Sequence, residues 1–398
     1  MKVFYDERYT AAGHSFDTTR KSANVAGLVR GMEGVELVAP LAATQREIAL
    51  VHDPVYVRGV RTGKGRGADS AGFGWDPGLW TAVSASTGGV VDAALEALHT
   101  GVAGSLSSGL HHADEKGGSG FCTFNGLALA AKIALGKRPL LDTFRRRRTR
   151  ACKRVLILDT DAHCGGGTYK IIKSDRRIWQ IDISVCGFDG YTTKDEQHHL
   201  HILRDAADYL DILELELERA AEIGFDLVIY NAGMDPHEDC GIGGLTGMTS
   251  EVIQRREEMV FGWAREQGVP IAFVLAGGYT GYRMWEERLS ALHGMTVAAA
   301  AGCEMPDIKA IEANAPVIEE PRYFGGGYYE EDPLDLDEVT ARELAQDLGL
   351  HGEPWDGYDD EVEEEESTHR FKSLHELPQE FFDLDREDLR EEYPEFFE

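Results

Sequence analysis

Four short runs rich in Val, Ile and Leu constrain this chain most: VLILD (155–159), IWQIDIS (178–184), DLVIYNAG (226–233) and IAFVLAGG (271–278). They are too short for buried helices and largely apolar at successive positions, so each reads as a strand covered on both faces. Between them lie stretches of helical periodicity, YLDILELELERAAEIG (209–224) and MTSEVIQRREEMVFGWAREQG (248–268). Thr249 or Ser250 caps the second, with Glu251 in its first turn. The alternation predicts an α/β fold, doubly wound, with a mainly parallel central sheet and helices on both faces. Sites in such sheets form beyond the carboxyl ends of strands, which is where Asp159–His163, Asp235 and Gly277–Tyr279 fall.

The formal charge of −30 argues against direct nucleic-acid binding, and it is unevenly spread. From Glu319 onward there are 29 acids against 6 bases and few aliphatic residues. Residues 1–315 therefore read as one catalytic domain and 316–398 as an acidic, partly disordered C-terminal extension. One segment is basic, RRRRTR at 145–150. It reads as a solvated loop, or as a patch that the acidic tail folds back on and screens. No apolar stretch is long enough to span a membrane, and MKVFYDERYT lacks the apolar core of a signal peptide. The six cysteines are scattered without a CxxC pair and read as reduced thiols, so a cytoplasmic address is expected.

In LDTDAHCGGGTY (158–169), Asp159, Asp161 and His163 recur at every second residue. On an extended strand these side chains share one face and can converge on a cation, with Asp235 of NAGMDPHED adding an oxygen. Two carboxylates and one imidazole with an open fourth position make a hydrolytic zinc site. Taken alone, the aspartates could equally cap a helix after the glycines. SSGLHHADEKGGSGFCTFN (107–125) adds the pair His111–His112, and LAGGYTGY (275–282) puts Tyr279 beyond a strand end. Separately these too have bland readings, as surface histidines and a simple turn.

In order and spacing, the motifs resemble the histone deacetylase superfamily, on the arginase-like α/β fold. The resemblance runs through HSFDTTR (14–20), LVHDPVYV (50–57), GLHHADEKGGSGFCTFN, VLILDTDAHCGGG, LVIYNAGMDPHEDCGIGGL (227–245) and VLAGGYTG (274–281). It is strongest to the prokaryotic and class IV-like branch through residues 242–261. The resemblance implies that Asp161, His163 and Asp235 bind one Zn2+. It also implies that Asp159 orients His111 and faces a structural K+ site near Asp182. His111 and His112 would handle protons, with His112 the better general base, and Tyr279 would polarise the substrate carbonyl. Gly120 and Phe121 would line a narrow acyl-lysine channel, and Arg20 would guard the acetate exit. The implied activity is zinc-dependent hydrolysis of acyl groups from lysine side chains or small amines.

The chain departs from the family's usual DxDxHHGDG, reading DTDAHCGGG. Gly166 stands where an acid or amide usually orients the second histidine, so His112 is expected to lack its partner. A catalytically weak acyl-lysine-binding member is the competing reading that this suggests. Cys164, beside a ligand, reads as a buried inert thiol or a soft metal contact. Arginase-like enzymes share the DAH element but need an acid at position 165, which is Gly165. Ile242 falls where acetylpolyamine amidohydrolases place a gatekeeping glutamate, which argues against polyamines. Glu238 and Asp239 nearby could still attract a cationic amine, which keeps that alternative open.

Overall fold

The computed structural model describes residues 1–12, 17–65, 67–136, 151–193 and 195–315, with only the backbone for 17–20. The expected acidic extension and the RRRRTR segment lie outside the described residues. The described strands are β1 (Lys2–Phe4), β2 (Glu36–Val38), β3 (Val102–Ser105), β4 (Val155–Asp159), β5 (Ile178–Ser184), β6 (His198–Ile202), β7 (Leu227–Ala232) and β8 (Ile271–Leu275). They form one sheet of order β2-β1-β3-β8-β7-β4-β5-β6, in which every pairing is parallel.

Side-chain alternation explains why the central strands read as unbroken apolar runs. Leu156, Leu158, Val228, Tyr230, Ile271 and Phe273 enter one core cluster. Val155, Ile157, Leu227, Ile229, Ala272 and Val274 enter the other. With both faces covered, no position is left for a polar residue until the strand ends. The helices Tyr209–Ile223, Ser250–Gln267 and Glu286–Ala301 line the first cluster; Leu79–Thr100 and Gly126–Ala134 line the second. Thr249 is the cap of Ser250–Gln267, its hydroxyl accepting from Val252 N.

The chain makes β3, passes to β4, extends outward through β5 and β6, and returns to insert β7 and β8 between β3 and β4. The carboxyl ends of four strands from distant parts of the sequence thus meet at mid-sheet. In register, Asp159 of β4 lies beside Asp182 of β5 and Asn231 of β7. Arg256, fully buried, ties the helix Ser250–Gln267 to this edge. It pairs with Glu257 at 2.7 Å and donates to Thr160 O at 3.3 Å, between the two aspartates.

Candidate active site

β4 stops at Asp159, and the following residues turn through a bend. Extended alternation therefore does not align Asp159, Asp161 and His163, as the spacing suggests; local hydrogen bonds do the positioning. Asp161 N donates to Asp159 Oδ1 at 3.1 Å, and His163 N donates to Asp161 Oδ1 at 3.0 Å. Aspartate side chains fold tight turns through such bonds to backbone N–H groups. The bend separates the roles. Asp161 and His163 turn toward Asp235, whereas Asp159 faces His111.

Asp161, His163 and Asp235 are all buried, and their ligand atoms lie within 4.8 Å of one another. His163 Nδ1 is 3.1 Å from both Asp161 Oδ1 and Asp235 Oδ2. Backbone amides hold the carboxylates: Gly277 N donates to Asp161 Oδ2 at 2.7 Å, and Ala162 N to Asp235 Oδ1 at 3.0 Å. A Cβ on Gly277 would come within 2.6 Å of Asp235 Oδ1, so bare backbone is required there. Burial pulls the His163 pKa down, but Asp161 and Asp235 outweigh it and lift it to about 11. Burial and the neighbouring Asp161 push Asp235 up to about 6. Two crowded carboxylates that hold a proton on His163 this firmly favour positive charge between them, and two oxygens with one imidazole are a zinc-type donor set.

Beside this set runs a chain of four side chains. His111 Nδ1 is 2.7 Å from Asp159 Oδ2, and His111 Nε2 is 3.1 Å from His112 Nε2. His112 Nδ1 is 3.1 Å from Asp189 Oδ2. Asp159 also accepts from Asn231 Nδ2 at 2.8 Å. Burial disfavours the charged form of His111, but Asp159 and Asp161 outweigh it and raise its pKa to about 10. Burial and the cationic His111 push His112 down to about 4. At pH 7 one imidazole is therefore charged and its neighbour neutral, a split that separates electrostatic from proton-accepting duty. The expectation that Gly166 leaves His112 without an orienting acid is corrected, because Asp189 supplies one from the loop after β5.

Tyr279, Gly277, Asp161, His111, His112, Ser108, Leu110, Gly120, Phe121 and Cys122 line one pocket. Burial, then Asp235 and Asp161, raise the Tyr279 phenol well above its ordinary pKa, so it stays protonated. Gly120 and Phe121 both have positive φ, 51° and 62°. Phe188 turns its edge to His112, with ring centroids 5.0 Å apart, and half of it is exposed. Ile242 is exposed and is not among the residues lining the pocket, although Gly243 next to it backs onto His163. Arg20 lies in the helix Asp17–Val29, and its side chain is outside the described residues. Cys164 is buried, its thiol raised to about 12 by burial and hydrogen-bonded to Cys186 O, as expected of an inert thiol. Phe188, Asp189 and Asn231 were not singled out from sequence. The available signal was an Asp between glycines in CGFDGY, just beyond a strand's carboxyl end.

A family model described as the histone deacetylase domain matches residues 14–295. The chain belongs to the histone deacetylase family. This membership places it among hydrolases. It is 28% identical over 282 residues to histone deacetylase 2 of Arabidopsis thaliana, covering 67% of this chain and 70% of that protein. A probable deacetylase of Methanothermobacter thermautotrophicus is 27% identical over 327 residues, covering 74% of this chain and 90% of that one. Two solved structures share the fold at 19% identity. The HDA15 HD domain has a TM-score of 0.61, covering 79% of this chain and 92% of its own. An acetylpolyamine aminohydrolase from Burkholderia pseudomallei has a TM-score of 0.58, with 75% and 98%. Among the described residues, no helix is long and apolar enough to cross a membrane.

Proposed function

We propose that this family member is a zinc-dependent deacetylase that hydrolyses acyl-lysine side-chain amides. One juxtaposition carries the reading: Asp161 of the Asp161/His163/Asp235 set, the His111–His112 pair and Tyr279 line one pocket. Zinc held by those three residues would supply Lewis acidity toward a water and an amide carbonyl. Tyr279 donates a hydrogen bond to the carbonyl oxygen as negative charge grows there, keeping its own proton. His112, neutral at pH 7, takes a proton from the attacking water and returns it to the leaving amine. His111, held by Asp159, acts as a fixed positive charge. Gly120 and Phe121 would form the walls that admit a slender alkyl chain and exclude bulk water, with Phe188 packed behind them against His112.

A lysine side chain fits better than a polyamine, because the acids near Ile242 already have partners. Asp239 pairs with Arg288 at 2.7 Å, and Glu238 accepts from Gly247 N at 2.8 Å. Asp159 and Asp182 would hold a structural K+; burial and then Asp159 push Asp182 up to about 8, so a cation between them relieves their repulsion. Six free thiols suit a reducing, cytoplasmic address. The reading is tested by assaying an acetyl-lysine peptide and acetylated putrescine with metal-stripped and zinc-reconstituted protein. Zinc-dependent turnover of the peptide, blocked by a hydroxamate, is expected. Absence of turnover on both after reconstitution would overturn it.

A further inference from the structure

In the hydrogen-bonded chain Asp159–His111–His112–Asp189, the last member comes from a different loop from every other acid at the pocket. That loop, Cys186–Gly190, follows β5 and is pinned to the Asp161–His163 bend, where Cys164 N donates to Phe188 O at 3.0 Å. Among the described residues only Leu110, Phe121 and Asp189 are non-glycine residues with positive φ, and Asp189 sits at 55°. Leu110 and Phe121 line the pocket, and Asp189 reaches it through His112, which also lines it. A residue is held there only where its surroundings insist on it.

The surroundings of Asp189 meet that condition. Its Oδ2 accepts from Gly167 N at 2.9 Å as well as facing His112 Nδ1 at 3.1 Å, and Lys170 Nζ stands 3.5 Å from Oδ1. Space for the carboxylate is made by missing side chains. A Cβ on Gly166 would lie 2.6 Å from Asp189 Cγ and nearer still to its Oδ1 and backbone oxygen. A Cβ on Gly167 would be driven into the backbone of His112 and Ala113. The glycine run after Cys164 is thus a cradle, and an acid at position 166 and the acid at position 189 are mutually exclusive occupants of the same volume. The structural alternative is an aspartate that merely closes a turn. It accounts for the Gly167 contact but not for a carboxylate aimed at a buried imidazole.

We propose that Asp189 is the positioning residue for His112, admitted by Gly166 and Gly167. Its carboxylate keeps the proton on Nδ1 and leaves Nε2, which lies 3.1 Å from His111 Nε2, as the bare nitrogen. The consequence for the proposed hydrolase, on which this inference rests, is that the proton carrier's tautomer is set from the loop bearing Phe188, whose ring also packs against His112. Burial works against the charge on Asp189, but His112, Lys170 and Gly167 N together hold its pKa below the ordinary carboxylate value.

The test uses full-length zinc-reconstituted protein with Asp189→Ala and Asp189→Asn. Histidine side-chain 15N spectra are recorded beside steady-state kinetics on an acetyl-lysine peptide, with the His112 signal assigned by its loss in His112→Gln. Wild type is expected to show His112 protonated on Nδ1 and bare on Nε2. Asp189→Ala loses that single tautomer and about 10–100-fold in kcat, with KM within about twofold. Asp189→Asn recovers much of both, because one amide oxygen still accepts from Gly167 N and His112 Nδ1. Should Asp189→Ala fail to fold, the wild-type tautomer and Asp189→Asn still decide. His112 protonated on Nε2 in wild type, or unchanged tautomer and kcat in Asp189→Ala, overturns the proposal. An inactive wild type whose His112 tautomer nevertheless depends on Asp189 would sink the hydrolase reading and leave the positioning intact.

Discussion

Gly277→Ala adds one methyl group, and the structure says where that methyl must go. The new Cβ would sit 2.6 Å from Asp235 Oδ1 and nearer to the rest of that carboxylate, whereas ordinary contact begins near 3.4 Å. Asp235 must retreat by about 0.8 Å or more, yet Ala162 N and His163 hold it from the other side. Metal–ligand bonds tolerate about 0.2 Å of misplacement, so the carboxylate leaves the donor set. Gly277 N also donates to Asp161, so any backbone shift that relieves the clash disturbs the second carboxylate. Zinc affinity should fall at least 10–100-fold, with about 100-fold lost in kcat. Overpacking should cost about 1–3 kcal/mol in stability. Gly281→Ala is the control, in the same loop with nothing within 4 Å of the added Cβ. Calorimetric zinc titration and kinetics on both variants provide the readout. Gly277→Ala with the affinity and kcat of wild type would refute the reasoning.

Two further outcomes are expected. Tyr279→Phe should keep its zinc and its fold but lose about 10²–10³-fold in kcat; steady-state kinetics with metal analysis checks this, and full turnover contradicts the role given to the phenol. Glu216 accepts from His199, His201 and Arg219 at 2.8 Å each. Burial opposes its charge, but the hydrogen bonds and charges of His199 and His201 outweigh it and lower its pKa from 4.5 to about 2. A depressed carboxylate stabilises the fold above its unfolded pKa, and that contribution disappears as pH falls from 4.5 through 2. Glu216→Gln should cost about 1–3 kcal/mol at pH 7, and its deficit against wild type should shrink over that window in denaturant titrations.

What the sequence disclosed follows from which positions are crowded. β4, β5, β7 and β8 were legible because burial on both faces keeps them mostly apolar, and their observed limits match the apolar runs closely. β6, reading HHLHI, lies at the sheet edge with its middle residues half exposed, so no apolar run marks it. β1, β2 and β3 are three or four residues long, too short for any periodicity to register. Asp161, His163 and Asp235 stood out as polar residues directly after such runs. Asp189 could not be read in the same way. Its partner lies 77 positions away, and its place is defined by side chains that Gly166 and Gly167 do not have. The bend after Asp159 was equally hidden, because strand alternation and an aspartate turn both bring every second residue together.

The central claim is a single cation held by one imidazole and two carboxylates, and zinc K-edge X-ray absorption on the reconstituted protein tests it most directly. Nitrogen and oxygen neighbours at about 2.0–2.2 Å, the scattering of one imidazole and no sulfur are expected. A sulfur neighbour at about 2.3 Å would contradict it by pointing to a cysteine such as Cys164. Two imidazoles would contradict it as well, moving the metal to the His199, His201 and Glu216 cluster.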